Sequence, residues 1–347
     1  MAQQEGRVYL ASSPHYNSPV TARRLMLFVL ISLAPVTIFG IVLFGLPALL
    51  TVLTAVVSAM AAEAVFRKII GQDIRAGDLS AAVTGLLLAL ILPPSTPLWM
   101  TALGSIFAIV VAKEFFGGLG ANVFNPALIG RAFLLMSFPA AITAWHNPPG
   151  FGTALTDAVS AVTPLNILKL GGSVADVGNG LAASGLTSTG GYGDLIRTMF
   201  LGYRSGCIGE SSILLILAGM AFLLITRTID FRAPFTMLAA TVLFSLVLGD
   251  DPLFALLGGG VFFGAVFMAT DYVSAPITAS GKYIFGLGAG IITVLIRKWG
   301  NYPEGVTYAI LIMNAVTPFL NRLIQKKYGF VPQKVPAKAG AQSGGAK

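Results

Sequence analysis

The 347 residues are 55% hydrophobic and only 10% charged, with a positive mean hydropathy, which leaves too little polar surface for a soluble globule of this length. The net charge of +8 comes without a basic and aromatic stripe, so no nucleic-acid partner is expected, and lysine and arginine are read for membrane orientation. A single cysteine, Cys207, excludes an internal disulfide and a protein-only iron–sulfur cluster, which takes about four thiolates. His15 and His146 lie far apart without ligand spacing, so no metal site is expected and both read as interfacial polar residues.

Residues 1–24 read as a cytoplasmic amino-terminal segment. Met1 to Thr21 contains Glu5, Arg7, Pro14 and His15 and has no apolar core, which argues against a cleaved signal peptide. Residues 25–145 form a first membrane half, cut into helices by Gly, Pro and charge: Leu25 to Leu46, Pro47 to Phe66, a short Ser80 to Leu92 stopping at Pro93-Pro94, Leu98 to Phe116, and Pro126 to Trp145. A polar interval, 146–210, follows. The second half, 211–323, offers Ser211 to Thr226, Pro234 to Gly249, Leu253 to Thr270, Tyr283 to Ile296 and Pro303 to Leu323. The tail, 324–347, is rich in Gly, Ala, Pro and Lys and reads as disordered and cytoplasmic. The predicted fold class is an all-α polytopic membrane protein of about ten transmembrane helices, five on each side of the polar interval.

Counting lysine and arginine places both termini in the cytoplasm and the 146–210 loop outside, with Arg297-Lys298 as the one pair that argues against this arrangement. The halves resemble each other. Leu87-Leu-Ala-Leu-Ile-Leu-Pro-Pro-Ser-Thr-Pro-Leu98 parallels Leu243-Phe-Ser-Leu-Val-Leu-Gly-Asp-Asp-Pro-Leu253, and each is followed by an apolar helix, a polar break and an X-Pro start. An odd number of helices per repeat turns the second upside down, the inverted-repeat logic of transporters whose sites form where discontinuous helices meet near the midplane.

The breaks carry candidate residues. Asn125 before Pro126 and Ser274 before Pro276 are cap-like residues ahead of a proline that costs little in a first turn. Such starts can hold a carbonyl-rich or anionic ligand, or can be ordinary loops between helices. Asn122, Asn125 and Arg131 together favour the ligand reading, because polar groups at membrane depth are costly. Asp271 is a candidate for an ion or proton path. Glu63 is another ionisable residue within an apolar run, Lys113 and Glu114 read as an interfacial ion pair, and Glu210 reads as a cap for the helix after it.

The central loop contains Asp157-Ala-Val-Ser160-Ala-Val-Thr163-Pro164. On local chemistry alone Thr163 reads as a turn residue before proline, since no histidine stands beside it to act as a base. The wider pattern changes that. Asn125-Pro-Ala-Leu-Ile-Gly-Arg-Ala-Phe133, Ser205-Gly-Cys-Ile-Gly-Glu-Ser-Ser212, Phe267-Met-Ala-Thr-Asp-Tyr-Val-Ser-Ala-Pro-Ile-Thr278 and Tyr302-Pro-Glu-Gly-Val-Thr-Tyr-Ala-Ile-Leu-Ile-Met-Asn-Ala-Val-Thr-Pro318 resemble the D subunit of the Rnf-type ion-translocating ferredoxin:NAD oxidoreductase, and more distantly the B subunit of the sodium-pumping NADH:quinone oxidoreductase.

This resemblance, covering Arg23 to Leu323, implies a membrane electron-transfer subunit of an ion-translocating oxidoreductase in the cell inner membrane, inactive alone and partnered by the other membrane and peripheral subunits. It implies FMN joined through a phosphoester to Thr163 by an extracytoplasmic flavin transferase, with Asp157 and Ser160 completing the motif. Ala161 and Val162 stand where the family usually has Gly and Ala, and Ala161 loses the positive-φ freedom of glycine. The family also carries a noncovalent riboflavin, placed here at Asn122 and Asn125. The resemblance removes the missing-base objection, because the transferase supplies the catalysis and Thr163 needs only to be exposed and correctly presented. The competing reading is an inverted-repeat secondary transporter or channel for a small solute, without a redox cofactor.

Overall fold

The computed structural model describes residues 21–73, 76–145, 163–169, 173–183, 191–300 and 304–324. The amino-terminal segment with His15, the stretch holding His146, Asp157 and Ser160, and the tail lie outside these residues. Among the described residues all regular structure is helical. In the first half, α1 spans Ala22–Phe44, α2 Leu46–Ile70, α3 Ser80–Leu90, α4 Leu98–Val110, α5 Pro126–Ser137 and α6 Pro139–Ile142. The central interval supplies α7 (Pro164–Lys169), α8 (Val174–Ala183) and α9 (Tyr192–Leu201). The second half has α10 (Ile213–Ile225), α11 (Arg232–Val247), α12 (Pro252–Leu257), α13 (Val261–Phe263) running into a π-helical turn (Gly264–Met268), α14 (Ala279–Trp299) and α15 (Val306–Ile324).

Among the described residues, four helices are long and apolar enough to cross a membrane: Ala22–Phe44, Leu46–Ile70, Leu98–Phe116 and Ala279–Trp299. The last part of the Leu98–Phe116 stretch is not regular α-helix, since α4 ends at Val110 and a 3-10 turn covers Glu114–Phe116. Large apolar residues such as Ile38, Val57, Leu243 and Phe319 point outward, a surface suited to lipid.

Two elements depart from the sequence expectation. Pro126 to Trp145 is interrupted at Phe138, where Pro139 starts a new turn. Leu253 to Thr270 is not one helix: α12 stops at Leu257, and Gly258, Gly259 and Gly260 separate it from α13. Gly259 takes φ +62°, a conformation that L side chains rarely adopt.

The short helix α3 is the centre of the first half. Its 11 residues reach only about 16 Å, half a hydrocarbon core, and every one of them is buried. Gly85 lets α3 lie on α2, since a Cβ there would meet the Ala55 carbonyl at 2.6 Å. A backbone that stops inside the bundle must be satisfied by protein. The Leu92 carbonyl, just beyond α3, accepts the Ile208 N–H at 3.2 Å, and Gly209 sits against Leu90 and Phe263. The crossing segment 205–212 thus plugs the end of α3 and touches the broken helix of the second half. Elsewhere α1 packs on α10, α2 on α4, α11 on α14, and α5 on α15.

The α11–α14 seam is built on small residues. A Cβ at Gly286 would lie 2.5 Å from the Ala233 carbonyl, and one at Gly290 would lie 2.6 Å from the Met237 carbonyl. Without a hydrophobic drive between helices in lipid, close backbone approach of this kind supplies the packing.

Candidate functional site

Thr163 heads α7. Its carbonyl accepts the N–H groups of Asn166 and Ile167 at 2.9 and 3.1 Å, and its Oγ1 accepts the Asn166 N–H at a long 3.3 Å. Where an exposed hydroxyl was expected, the residue is 9% exposed. In the next turn Leu165 is tucked against the break after α12, its Cδ1 standing 2.8 Å from where a Cβ on Gly259 would be. Lys169, at the end of α7, donates to the Gly300 carbonyl after α14.

The α12 break is held by arginines. Arg204 donates to the Leu257 carbonyl at 2.6 Å, the Glu210 carbonyl at 3.1 Å and the Gly259 carbonyl at 3.5 Å. Arg297 donates to the carbonyls of Ala255 at 2.5 Å, Gly258 at 2.8 Å and Glu304 at 3.2 Å. Two guanidiniums therefore satisfy carbonyls that the interrupted helix leaves without intrahelical partners. The charge pair that contradicted the orientation count has a structural use here, because Arg297 is spent on the fold.

Beside this break sits a buried charge cluster. Arg131 on α5 donates to Glu304 Oε2 and, at 3.6 Å, to Cys207 Sγ, and its Nη1 lies 3.9 Å from Glu210 Oε1. Glu210 does not cap α10 as expected. The cap position is Ser212, whose side chain makes no cap bond, and Glu210 instead faces Arg131 and Gly260. Ligand atoms of Cys207, Glu210 and Glu304 lie within 4.8 Å of one another, a spacing a metal could use. The Arg131 guanidinium already meets all three, and Arg131, Arg204 and Arg297 against Glu210 and Glu304 leave three minus two, one excess positive charge. That disfavours a dication, so the cluster is an ionic tie joining α5, the crossing segment and the approach to α15.

The other break gathers the remaining candidates. Asn125 caps α5 as expected, its Oδ1 accepting the Ala127 and Leu128 N–H groups at 3.0 and 3.4 Å. Asn122 donates to the Phe124 carbonyl at 3.0 Å. Ser274 is not a helix cap: α14 begins at Ala279 with Thr278 capping it, and Ser274 donates to Asp271 Oδ2 at 2.7 Å. Asn125 and Asp271 line one small cavity of about 50 Å³, which shares Ile229, Thr270, Asp271 and Tyr272 with a neighbouring cavity of about 230 Å³. The structure thus brings Asn125 and Asp271 together, and Asn122 borders neither cavity.

Lys113 and Glu114 do not pair with each other. Lys113 Nζ donates to Glu63 Oε1 at 2.8 Å and Ser80 Oγ at 2.6 Å, while Arg67 meets Glu114 at 3.3 Å. All four charged groups are buried, and two acids against two bases balance. Arg67, Arg204 and Glu304 carry much of this electrostatics and were not singled out from sequence. Arg67 and Glu63, four residues apart on one helix, were the readable signal. Glu304 gave none, being placed by a fold-level contact.

Residues 9–329 match the NQR2, RnfD, RnfE family. The chain is 42% identical over 328 residues to the D subunit of the proton-translocating ferredoxin:NAD(+) oxidoreductase complex of Clostridium ljungdahlii, covering 92% of this chain and 96% of that relative. It is 41% identical over 333 residues to the D subunit of the Na(+)-translocating ferredoxin:NAD(+) oxidoreductase complex of Acetobacterium woodii, covering 95% and 98%. It is also 41% identical over 327 residues to the D subunit of the ion-translocating oxidoreductase complex of Stutzerimonas stutzeri, covering 88% and 92%. On a match of this extent, the chain belongs to the NQR2, RnfD, RnfE family.

Proposed function

We propose that this chain is the D-type membrane subunit of an ion-translocating ferredoxin:NAD oxidoreductase complex, carrying FMN in phosphoester linkage on Thr163. Support for the complex comes from the relatives, which are similar along nearly their whole length and are named as such subunits. The chain is a part of that oxidoreductase and acts with the other subunits, which would supply ferredoxin and nucleotide binding.

What supports the flavin reading is the Asp157, Ser160 and Thr163 motif in a chain of this family; Thr163 itself is 9% exposed, so its hydroxyl must be uncovered for a transferase to reach it. Its hydroxyl is held by one long capping bond, which modification can displace at little cost, and the helix it heads ends in Lys169 and lines one cavity with Arg297 and Lys298. Apolar walls with a few cations suit a phosphate-linked aromatic cofactor. When bound, FMN supplies one- and two-electron chemistry, and the chain's residues set its position and potential. Asp157 and Ser160 complete the motif that the flavin transferase would read. In protein made with the transferase, a fluorescent band should survive denaturing electrophoresis and vanish in Thr163→Val. A band of undiminished brightness in Thr163→Val would place the flavin elsewhere.

Noncovalent riboflavin belongs, on this reading, beside Asn125 and Asp271, where two neighbouring cavities share part of their lining. Asn122 borders neither cavity, so Asn125 is the nearer of the two asparagines to that site. The same geometry suits Asp271 to an ion path. The ten-span inverted repeat is supported by matched packings, α2 on α4 with α11 on α14 and α1 on α10, and by a short or broken helix in each half. We place both termini in the cytoplasm of an inner-membrane protein, with the Thr163 loop outside. The plain transporter reading shares this architecture and predicts a colourless protein.

A further inference from the structure

Asn314 of α15 is 0% exposed, and among the described residues neither its amide oxygen nor its amide nitrogen has a hydrogen-bond partner. A buried amide left unpaired is destabilising, so the group calls for a ligand. The same residue offers a second oxygen. Pro318 lies inside α15, and its ring nitrogen has no N–H to donate to the carbonyl four residues earlier, which is that of Asn314. We propose that Asn314 is a ligand of a monovalent metal cation held inside the chain, an inference that rests on the ion-translocating reading and adds a station for the ion.

The placement supports this. α15 packs on α14, on α5 and on the π-helical turn Gly264–Met268, and a Cβ on Gly264 would meet Val306 and Ile310 of α15. Thr307, Asn314 and Asn321 follow one another at seven-residue spacing, close to two turns, which sets them in one line about 10 Å apart along the helix. At one end Thr307 lines the small cavity beside Arg131 and Glu304. At the other, the Asn321 amide oxygen accepts the Ile277 N–H at 3.1 Å, and Ile277 lines the cavity of about 230 Å³. Asn314 therefore stands midway on a polar line between two cavities. Its two oxygens are hard, neutral donors of the kind that unwound transporter helices offer to alkali cations. A dication would bring two charges to oxygens that carry none. Water in the ion's shell would accept from the amide nitrogen.

The test uses the full-length chain in its complex. Tm is followed against sodium chloride at fixed ionic strength, with choline as the balancing cation, and radioactive sodium uptake is followed in proteoliposomes supplied with reduced ferredoxin and NAD. Asn314→Leu removes the side-chain oxygen, and Pro318→Ala returns an N–H to the Asn314 carbonyl. The expected result is a wild-type Tm that sodium raises and choline does not, with both variants needing severalfold more sodium for the same rise and for half-maximal uptake. In choline alone Asn314→Leu should melt no lower than wild type, because it exchanges an unpaired amide for an apolar group of similar shape. A lower Tm there would give the amide a structural partner and overturn the proposal, as would sodium midpoints unmoved in both variants. A wild-type complex that moves protons and shows no sodium response overturns the cation site and leaves ion translocation standing. Electron transfer that moves no ion overturns both.

Discussion

At the residue scale the chain places charge where lipid would forbid it unless each group has a partner. Arg131 meets Glu304, Cys207 and Glu210, and its position in an apolar segment was readable as costly. Its partner was not, because Glu304 lies 173 positions away. Removing one member of a buried pair strands the other, so Arg131→Ala should cost about 3–5 kcal/mol, seen as a large drop in apparent Tm in detergent. Glu304→Gln keeps a hydrogen-bond acceptor and should cost less, and equal Tm values for Arg131→Ala and wild type would refute the tie.

A second residue-scale prediction concerns Asp230, in the turn before α11. Burial alone would raise its pKa, but the Arg232 N–H and the Lys282 ammonium hold the carboxyl below its usual value. A lowered folded-state pKa gives stability that is present above the unfolded value of about 3.9 and is lost as pH falls through the folded one. Wild type should therefore exceed Asp230→Asn in Tm at pH 7, with the gap closing on acidification below about pH 4. A gap that widens on acidification would reverse the sign of this linkage.

At the scale of elements, the long apolar helices were legible, but of the three cap readings only Asn125 at α5 held, and the interruptions were legible only in part. Pro93-Pro94 marked the end near α3, and Asn125-Pro126 marked the start of α5 to the residue. The α12 break was missed because Leu253 to Thr270 is apolar throughout its first turns, and three successive glycines alone do not stop a helix in a hydropathy reading. What stops it is Arg204 and Arg297 taking carbonyls from outside the element. Ser274 read as a cap because it stands just before Pro276, yet its hydroxyl is spent on Asp271 and Thr278 caps α14.

The glycines on α14 give the sharpest element-scale prediction. Gly290→Leu would drive a side chain into the Met237 carbonyl and the Ala240 side chain of α11. Overpacking of this order costs about 1–3 kcal/mol, read as lower Tm and poorer recovery of monodisperse protein. Gly249→Ala, where nothing lies within 4 Å of an added Cβ, carries only the strain of its φ of +76° and should cost less. Equal losses in the two variants would show that the α11–α14 seam is not what the glycines serve.

At the scale of the whole molecule, composition carried the all-helical membrane class, because lipid leaves few choices for an unpaired backbone. The polar interval was less legible. Its helices α7, α8 and α9 are short; α9 packs on α10 and α12 while α8 packs on α7 and α9, so their order depends on contacts no local pattern encodes. Thr163 shows the same limit: the resemblance pointed to the residue, while its burial was not legible in the sequence. The central claim is that the Thr163 hydroxyl takes the flavin, for which its 9%-exposed seat must open. Mass spectrometry of the Thr163 peptide, from protein made alongside the flavin transferase, tests it most directly. The expected result is a mass increase of FMN less one water on Thr163, and an unmodified Thr163 in fully active complex would contradict it.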